Sequence, residues 1–187
     1  MSNQKTSTKP KQIKLVNIEA QSKNINKMET YLINEEQNLE LKYYPLFSET
    51  KIGEVLGELY SDVNKAKEME LDYFENEQAD NNLIKHLHCL ILKHFTSLKS
   101  EIPNDLPTKI NIFDQIVDIG LFKQIFEDVL DPNEVVKVET RLYEYMINLD
   151  KIRQQQEEAI SQISSQLQNK ELTPYNTLNK IDELNNA

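Results

Sequence analysis

The sequence predicts a mainly α protein: a helical domain of about five helices, with a small N-terminal β-hairpin and a long C-terminal amphipathic helix. Three observations lead there. Only three glycines and six prolines occur in 187 residues, too few tight turns for a sandwich or barrel. Apolar residues recur at three- and four-residue steps over most of the chain. Residues 131–168 join a capped helix start to an apolar stripe of roughly five heptads.

Taken in order, residues 1–10 are polar and read as a disordered tail. Residues 11–47 form a hairpin region. Ile13, Leu15, Val16 and Ile18 give a short β-like alternation. Residues 24–44 admit two readings. One is a hairpin, with Thr30-Tyr31-Leu32-Ile33 and the alternating Leu39, Leu41 and Tyr43 as strands around an Asn34 to Asn38 loop. The other is a helix through Ile25, Met28, Leu32 and Leu39. The hairpin is favoured, because Pro45 and Tyr43-Tyr44 suit a strand end better than a helix interior.

Residues 48–130 make the helical core. Ser48 caps a helix over Lys51 to Lys67 whose face carries Ile52, Val55, Leu56, Leu59 and Val63. Gly53 and Gly57 lie within it; each costs ~1 kcal/mol relative to alanine, so their spacing suggests a close backbone crossing, within the domain or from a partner helix. Asn76 to Asn82 is a polar loop that caps the next helix. There Leu83, Ile84, Leu87, Leu90, Ile91, Phe95 and Leu98 are apolar around most of the circumference, marking the central helix. After the Pro103 to Pro107 turn, one short helix runs to Gly120, a natural stop, and another carries Leu121, Phe122, Ile125, Phe126 and Val129.

The long helix occupies 131–168. Asp131 is its N-cap, Pro132 takes the position where a missing N–H is harmless, and Glu134 can bond back to the cap. Behind them Val138, Leu142, Tyr145, Leu149, Ile152, Ala159, Ile163 and Leu167 form the stripe, broken at Gln156. Such a helix spans about 55 Å, more than a small body covers. Its first turns should complete the core through Leu149, leaving Ile152 to Leu167 for self-association or partner contact. Leu149, Ile152, Ile160, Ile163 and Leu167, with the Gly53/Gly57 surface, are therefore the expected partner-binding residues. Residues 169–187 read as a polar C-terminal tail, broken at Thr173-Pro174.

Composition narrows function. Residues 1–27 hold six lysines against Glu19, a local +5, so the rest carries −15 of the total −10. An acidic body repels a phosphate backbone, and the lysine tail lacks aromatic stacking residues, which argues against nucleic-acid binding. A single cysteine, Cys89, excludes an internal disulfide. No secretory h-region and no membrane span are visible, which points to the cytoplasm.

His86, His88, Cys89 and His94 crowd into nine residues, yet one helix cannot converge four ligands from those positions. They read as ordinary buried or boundary side chains, with no metal and no Cys-His nucleophile. Glu134, Glu139, Glu144, Glu157 and Glu158 read as the wet face of the long helix, Glu134 serving its cap. No phosphate loop, dinucleotide fingerprint or nucleophile elbow is present, so neither an enzyme nor a cofactor is expected.

Tyr43-Tyr44-Pro45-Leu46-Phe47-Ser48 through Lys51-Ile52, Ile91-Leu92-Lys93-His94-Phe95-Thr96, Asp118-Ile119-Gly120-Leu121-Phe122 and Glu134-Val135-Val136-Lys137-Val138 occur in an order that resembles small proteins from the tail-assembly region of tailed phages of low-G+C bacteria. The likeness covers about residues 11–140. It implies a tail assembly chaperone, which keeps the long helical tape measure protein soluble until tail tube subunits cover it, and a location in the bacterial host cytoplasm or the virion. Two other expectations stand beside it: a structural or adaptor coiled-coil protein of the particle, whose stripe pairs with itself, and a small regulatory protein whose lysine tail touches DNA.

Overall fold

The computed structural model describes residues 12–184, with side chains described through residue 164. The expected tail at 1–10 and the Leu167 side chain lie outside the described residues. The elements are α1 (Leu15–Ile25), β1 (Glu29–Asn34), β2 (Leu39–Tyr43), α2 (Glu49–Glu68), α3 (Ala79–Phe95), α4 (Leu106–Asp118), α5 (Leu121–Asp128) and α6 (Pro132–Leu184), with 3-10 turns at Asp72–Phe74 and Ser97–Ser100. The chain divides into two units, residues 1–139 and 140–187. Mainly helical architecture, an N-terminal hairpin and a long C-terminal helix are what the sequence predicts.

The first correction comes at the N-terminus. Leu15, Val16 and Ile18 lie on helix α1, not on a strand. A lone strand leaves its backbone groups without partners, whereas a helix satisfies them within itself, and Asn17 Oδ1 accepts the Lys14 N–H at its start (3.1 Å). Leu15, Val16 and Ile18 stay exposed, and only Ile25 at the end of α1 is half-buried.

The hairpin is present. β1 and β2 pair antiparallel, with Thr30 opposite Lys42 and Tyr31 opposite Leu41, and the register is irregular between Leu32 and Asn34. Asn34 Oδ1 accepts the Gln37 N–H (2.9 Å), and Asn38 takes a φ of 51°, a conformation asparagine tolerates better than most residues. Beyond β2, Tyr44 N–H donates to Phe95 O (2.9 Å) and Tyr43 bridges to Thr96. These contacts fix the hairpin to the end of α3.

Ser48 Oγ accepts from Lys51 N–H at the start of α2, as its sequence position indicates. The crossing expected within the domain is not found: Gly53 and Gly57 are exposed, and a Cβ built at either meets nothing within 4 Å. Their spacing reflects no backbone crossing among the described residues. The central helix is α3, where every residue from Cys89 to Phe95 is buried. Phe47 stacks on Phe95, centroids 3.5 Å apart, and Phe113, Ile125 and Val138 are fully buried. Gly120, at φ 76°, joins α4 to α5 in the left-handed geometry that glycine adopts without strain.

α6 differs from expectation at both ends. Asp131 Oδ1 accepts Asn133 N–H (2.8 Å), but Glu134 does not return to the cap. It is buried and accepts the N–H of Phe47, 87 residues earlier (2.8 Å). An orphan backbone donor between β2 and α2 holds the carboxylate more firmly than a solvated cap would. Burial along α6 stops after Val138, with Leu142 only half-buried, rather than reaching Leu149. At the far end the backbone stays helical through Thr173-Pro174 to Leu184, so no break falls there. One internal proline removes a single hydrogen bond from the ladder, and the sequence on either side, Lys170-Glu171-Leu172 and Leu178-Asn179-Lys180, contains good helix formers.

Candidate functional site

Two features invite a functional reading: a network of buried charges inside residues 12–139, and the apolar stripe of α6.

The network begins on α2, where Ile52, Val55, Leu59, Asp62 and Ala66 follow three- and four-residue steps and are all buried. Asp62 occupies a position that periodicity reserves for a hydrophobic residue. The same holds on α4, whose buried face is Leu106, Lys109, Phe113 and Ile116. α3 contributes His86, Lys93 and His94. These groups meet. Lys109 Nζ donates to Asp62 Oδ2 (2.7 Å) and to Glu58 Oε1. Lys93 Nζ donates to Glu58 Oε1 (2.7 Å) and Asn104 Oδ1 (2.8 Å). His94 Nε2 donates to Glu58 Oε2 (2.6 Å) and His86 Nε2 to Asp62 Oδ2 (3.0 Å).

The electrostatics follow from this wiring. Burial alone would raise the Glu58 carboxyl, but hydrogen bonds from His94, Lys109 and Lys93 overcome it and hold Glu58 far below the usual carboxylate range. Asp62 is lowered in the same way: burial opposes, and bonds from His86 and Lys109 prevail. His86 goes down, because burial disfavours its cation more than Asp62 supports it. Nε2 faces the Asp62 carboxylate, and Nδ1 has no hydrogen-bond partner.

Asp62, His86 and Lys109 are 0 % exposed, so no substrate reaches them; their chemistry is that of a closed electrostatic core joining α2, α3 and α4. Cys89 is equally closed, and burial pushes its thiol up to about 12, which removes it as a nucleophile. His88 meets Glu139 Oε1 (2.7 Å) and the rings of Phe122 and Phe126. Among the described residues no group of three or more His, Cys, Asp or Glu side chains is placed to hold a metal ion. No described helix is long and apolar enough to cross a membrane.

The residues expected to bind a partner fall in separate places. Gly53 and Gly57 lie on the exposed side of α2. Leu149, Ile152, Ile160 and Ile163 lie on α6, exposed by 41, 50, 65 and 59 %. Leu142 and Tyr145 continue the same seam, and Tyr143 and Met146 add exposed apolar surface beside it. From Arg141 onward the side positions of the seam hold Arg141, Met146, Asn148, Arg153, Gln155, Ile160 and Gln162, with no acid among them; the one before, Glu139 beside Val138, meets His88. Glu144, Asp150, Glu157 and Glu158 all lie on the outer face, where Glu144 pairs with Arg141 (2.7 Å) and Glu157 with Arg153 (3.3 Å).

Sequence reasoning missed the buried network. The available signal was a charged residue standing in an apolar series, Asp62 on α2 and Lys109 on α4.

Compared with known proteins, residues 15–176 match the family model described as YomO, a span that includes both the hairpin and most of α6. A relative is the SPbeta prophage-derived uncharacterized protein YomO of Bacillus subtilis (strain 168), 30 % identical over 94 residues, or 50 % of this chain and 51 % of the relative. The chain thus spans about half the length of that relative. No solved structure matches.

Proposed function

The chain belongs to the YomO family, and from that premise we propose that it is a non-enzymatic phage assembly protein which holds a helical partner, the tape measure protein, along the α6 stripe as a tail assembly chaperone does. The observation that carries this reading is the stripe itself. Four aliphatic residues at helical spacing remain 41 to 65 % exposed, a pattern suited to an amphipathic helix laid alongside. The prophage origin of the relative supplies the context, and the resemblance of the short strings to tail-region proteins is what suggests the partner. Fully desolvating a Leu or Ile contributes ~1.5 to 3 kcal/mol, so a few such anchors suffice for a transient complex. A partner that is itself a very long amphipathic helix offers matching anchors at every turn.

The test is co-expression of the full chain with the tape measure protein of the same phage genome, scoring the soluble fraction. The wild type raises it, and the double variant Leu149→Asp/Ile152→Asp does not. If the variant works as well as the wild type, the stripe is not the binding surface.

One further observation favours a second occupant of the same stripe, another copy of this chain. Because the seam's side positions lack acids from Arg141 onward, two copies paired over that stretch bring no side-position carboxylates together despite the net charge of −10, and Gln156, at a seam position, resembles the polar residues that set register in paired helices. Sedimentation equilibrium separates the readings. A stable symmetric oligomer that ignores the tape measure supports self-pairing, and a monomer that shifts on adding it supports the chaperone.

A further inference from the structure

We propose that the pocket where β2, the start of α2 and the end of α3 meet is a binding site for a small, multiply charged oxyanion of the phosphate class. The pocket has a volume of about 380 Å³ and is lined by Met28, Lys42, Tyr44, Lys51, His94, Thr96, Ser97, Lys99 and Ser100. The chain carries 31 acidic residues against 21 Lys and Arg, yet no lining residue is acidic and three are lysines. Gathering like charges costs free energy unless an anion answers them.

Only part of that charge is answered by the protein. Lys99 Nζ bonds Glu54 Oε2 (2.6 Å). Lys51 Nζ lies over the Tyr44 ring, 4.1 Å from its centroid, and shares with Lys99 and His94 the field of the single Glu54 carboxylate. Lys42 makes no ion pair among the described residues. Its backbone N–H instead donates to Ser97 Oγ (3.3 Å), which ties the strand to the 3-10 turn that supplies Ser97 and Ser100. The inner wall is His94, 5 % exposed. Its Nε2 is committed to Glu58, while Nδ1 has no hydrogen-bond partner and stands 3.4 Å from Glu54 Oε2.

Ammonium groups and hydroxyls around one space match the oxygens of a phosphate or diphosphate, and the volume falls within the range of small-molecule sites. Tyr44 and Met28 add an apolar wall that a bare anion would leave unused and an organic phosphate would cover. The site does not depend on the α6 stripe, so its failure would leave the chaperone reading standing.

The experiment is titration of the full chain with inorganic pyrophosphate and, in a second arm, with ADP, followed by amide NMR shifts and calorimetry. Saturable binding is expected, with the largest shifts at Lys42, Tyr44, Ser97, Lys99 and Ser100, and weakening as salt is raised. Lys42→Ala/Lys51→Ala should bind at least about tenfold more weakly, and Lys123→Ala, on exposed α5 surface, should bind as the wild type does. Equal affinity for the two probes places recognition in the phosphates, and tighter ADP binding extends it to Tyr44 and Met28. Absence of saturable binding, shifts centred elsewhere on the native chain, or unchanged affinity in Lys42→Ala/Lys51→Ala overturns the proposal.

Discussion

In residues 12–139, Val55, Leu90, Phe95, Phe113 and Ile125 are fully buried, and so are the charges of Asp62 and Lys109; in α6 beyond Thr140, Leu149, Ile152, Ile160 and Ile163 face solvent. The body closes an apolar core around buried ion pairs, although Leu15, Val16 and Ile18 of α1 stay exposed, while the described part of the distal stripe faces solvent throughout. Substitutions should therefore separate cleanly. In the body they change stability, and on the stripe they change association.

The largest effect is expected inside the network. Lys109→Ala leaves Glu58 and Asp62 short of a cation in an enclosed site, and breaking such a pair costs about 3 to 5 kcal/mol; chemical denaturation should show it as a lower midpoint with little change in slope. A loss under ~1 kcal/mol would mean that water enters the network freely. Leu149→Asp, by contrast, should leave that midpoint within ~0.5 kcal/mol of the wild type, as exposed substitutions do.

Acid should act on the body in two stages. The native His86 pKa lies below its ordinary 6.5, so the unfolded chain binds that proton first and stability declines as pH drops below about 6.5. Glu58 and Asp62 lie below their ordinary 4.5 and 3.8; the stability they contribute is complete above those values and is lost as pH falls through the native ones. Denaturation midpoints from pH 8 to 3 should fall in this order. His86→Asn should flatten the upper stage and leave the lower one.

The smallest effect expected within the body is a gain. Since no described residue crosses Gly53 or Gly57, Gly57→Ala should stabilise the body by about 0.5 to 1 kcal/mol through helix propensity, read as a higher thermal midpoint. Destabilisation would restore the close crossing that the glycine spacing suggested.

These contrasts also mark what the sequence could tell. Ser48, Gly120 and Asp131 announce their helix ends through local chemistry, and the hairpin follows from alternation and Pro45, so these elements were legible. The stripe was equally legible, because exposure and periodicity both leave a mark in the one-dimensional pattern. Glu134 was misread because its partner, the Phe47 N–H, lies 87 residues away, and a backbone donor has no sequence signature. The network was hidden for a similar reason. Glu58, Asp62, Lys93 and Lys109 sit on three helices, and their charges look like wet-face residues until the helices pack; His86 and His94 read as buried or boundary side chains, but nothing in the sequence names their carboxylate partners. Only Asp62 and Lys109, each standing in an apolar series, were readable in principle. Lys42, Lys51 and Lys99 are likewise ordinary surface lysines until the hairpin docks on the end of α3.

Hydrogen exchange on the full chain, with and without the tape measure protein, tests the central claim most directly, because it reads both regions at once. Protection should rise across residues 142–163 on adding the partner, while α2, α3 and α4 keep their protection unchanged. Protection confined to residues 12–139, or none anywhere, would contradict the assignment of the stripe as the partner-binding surface.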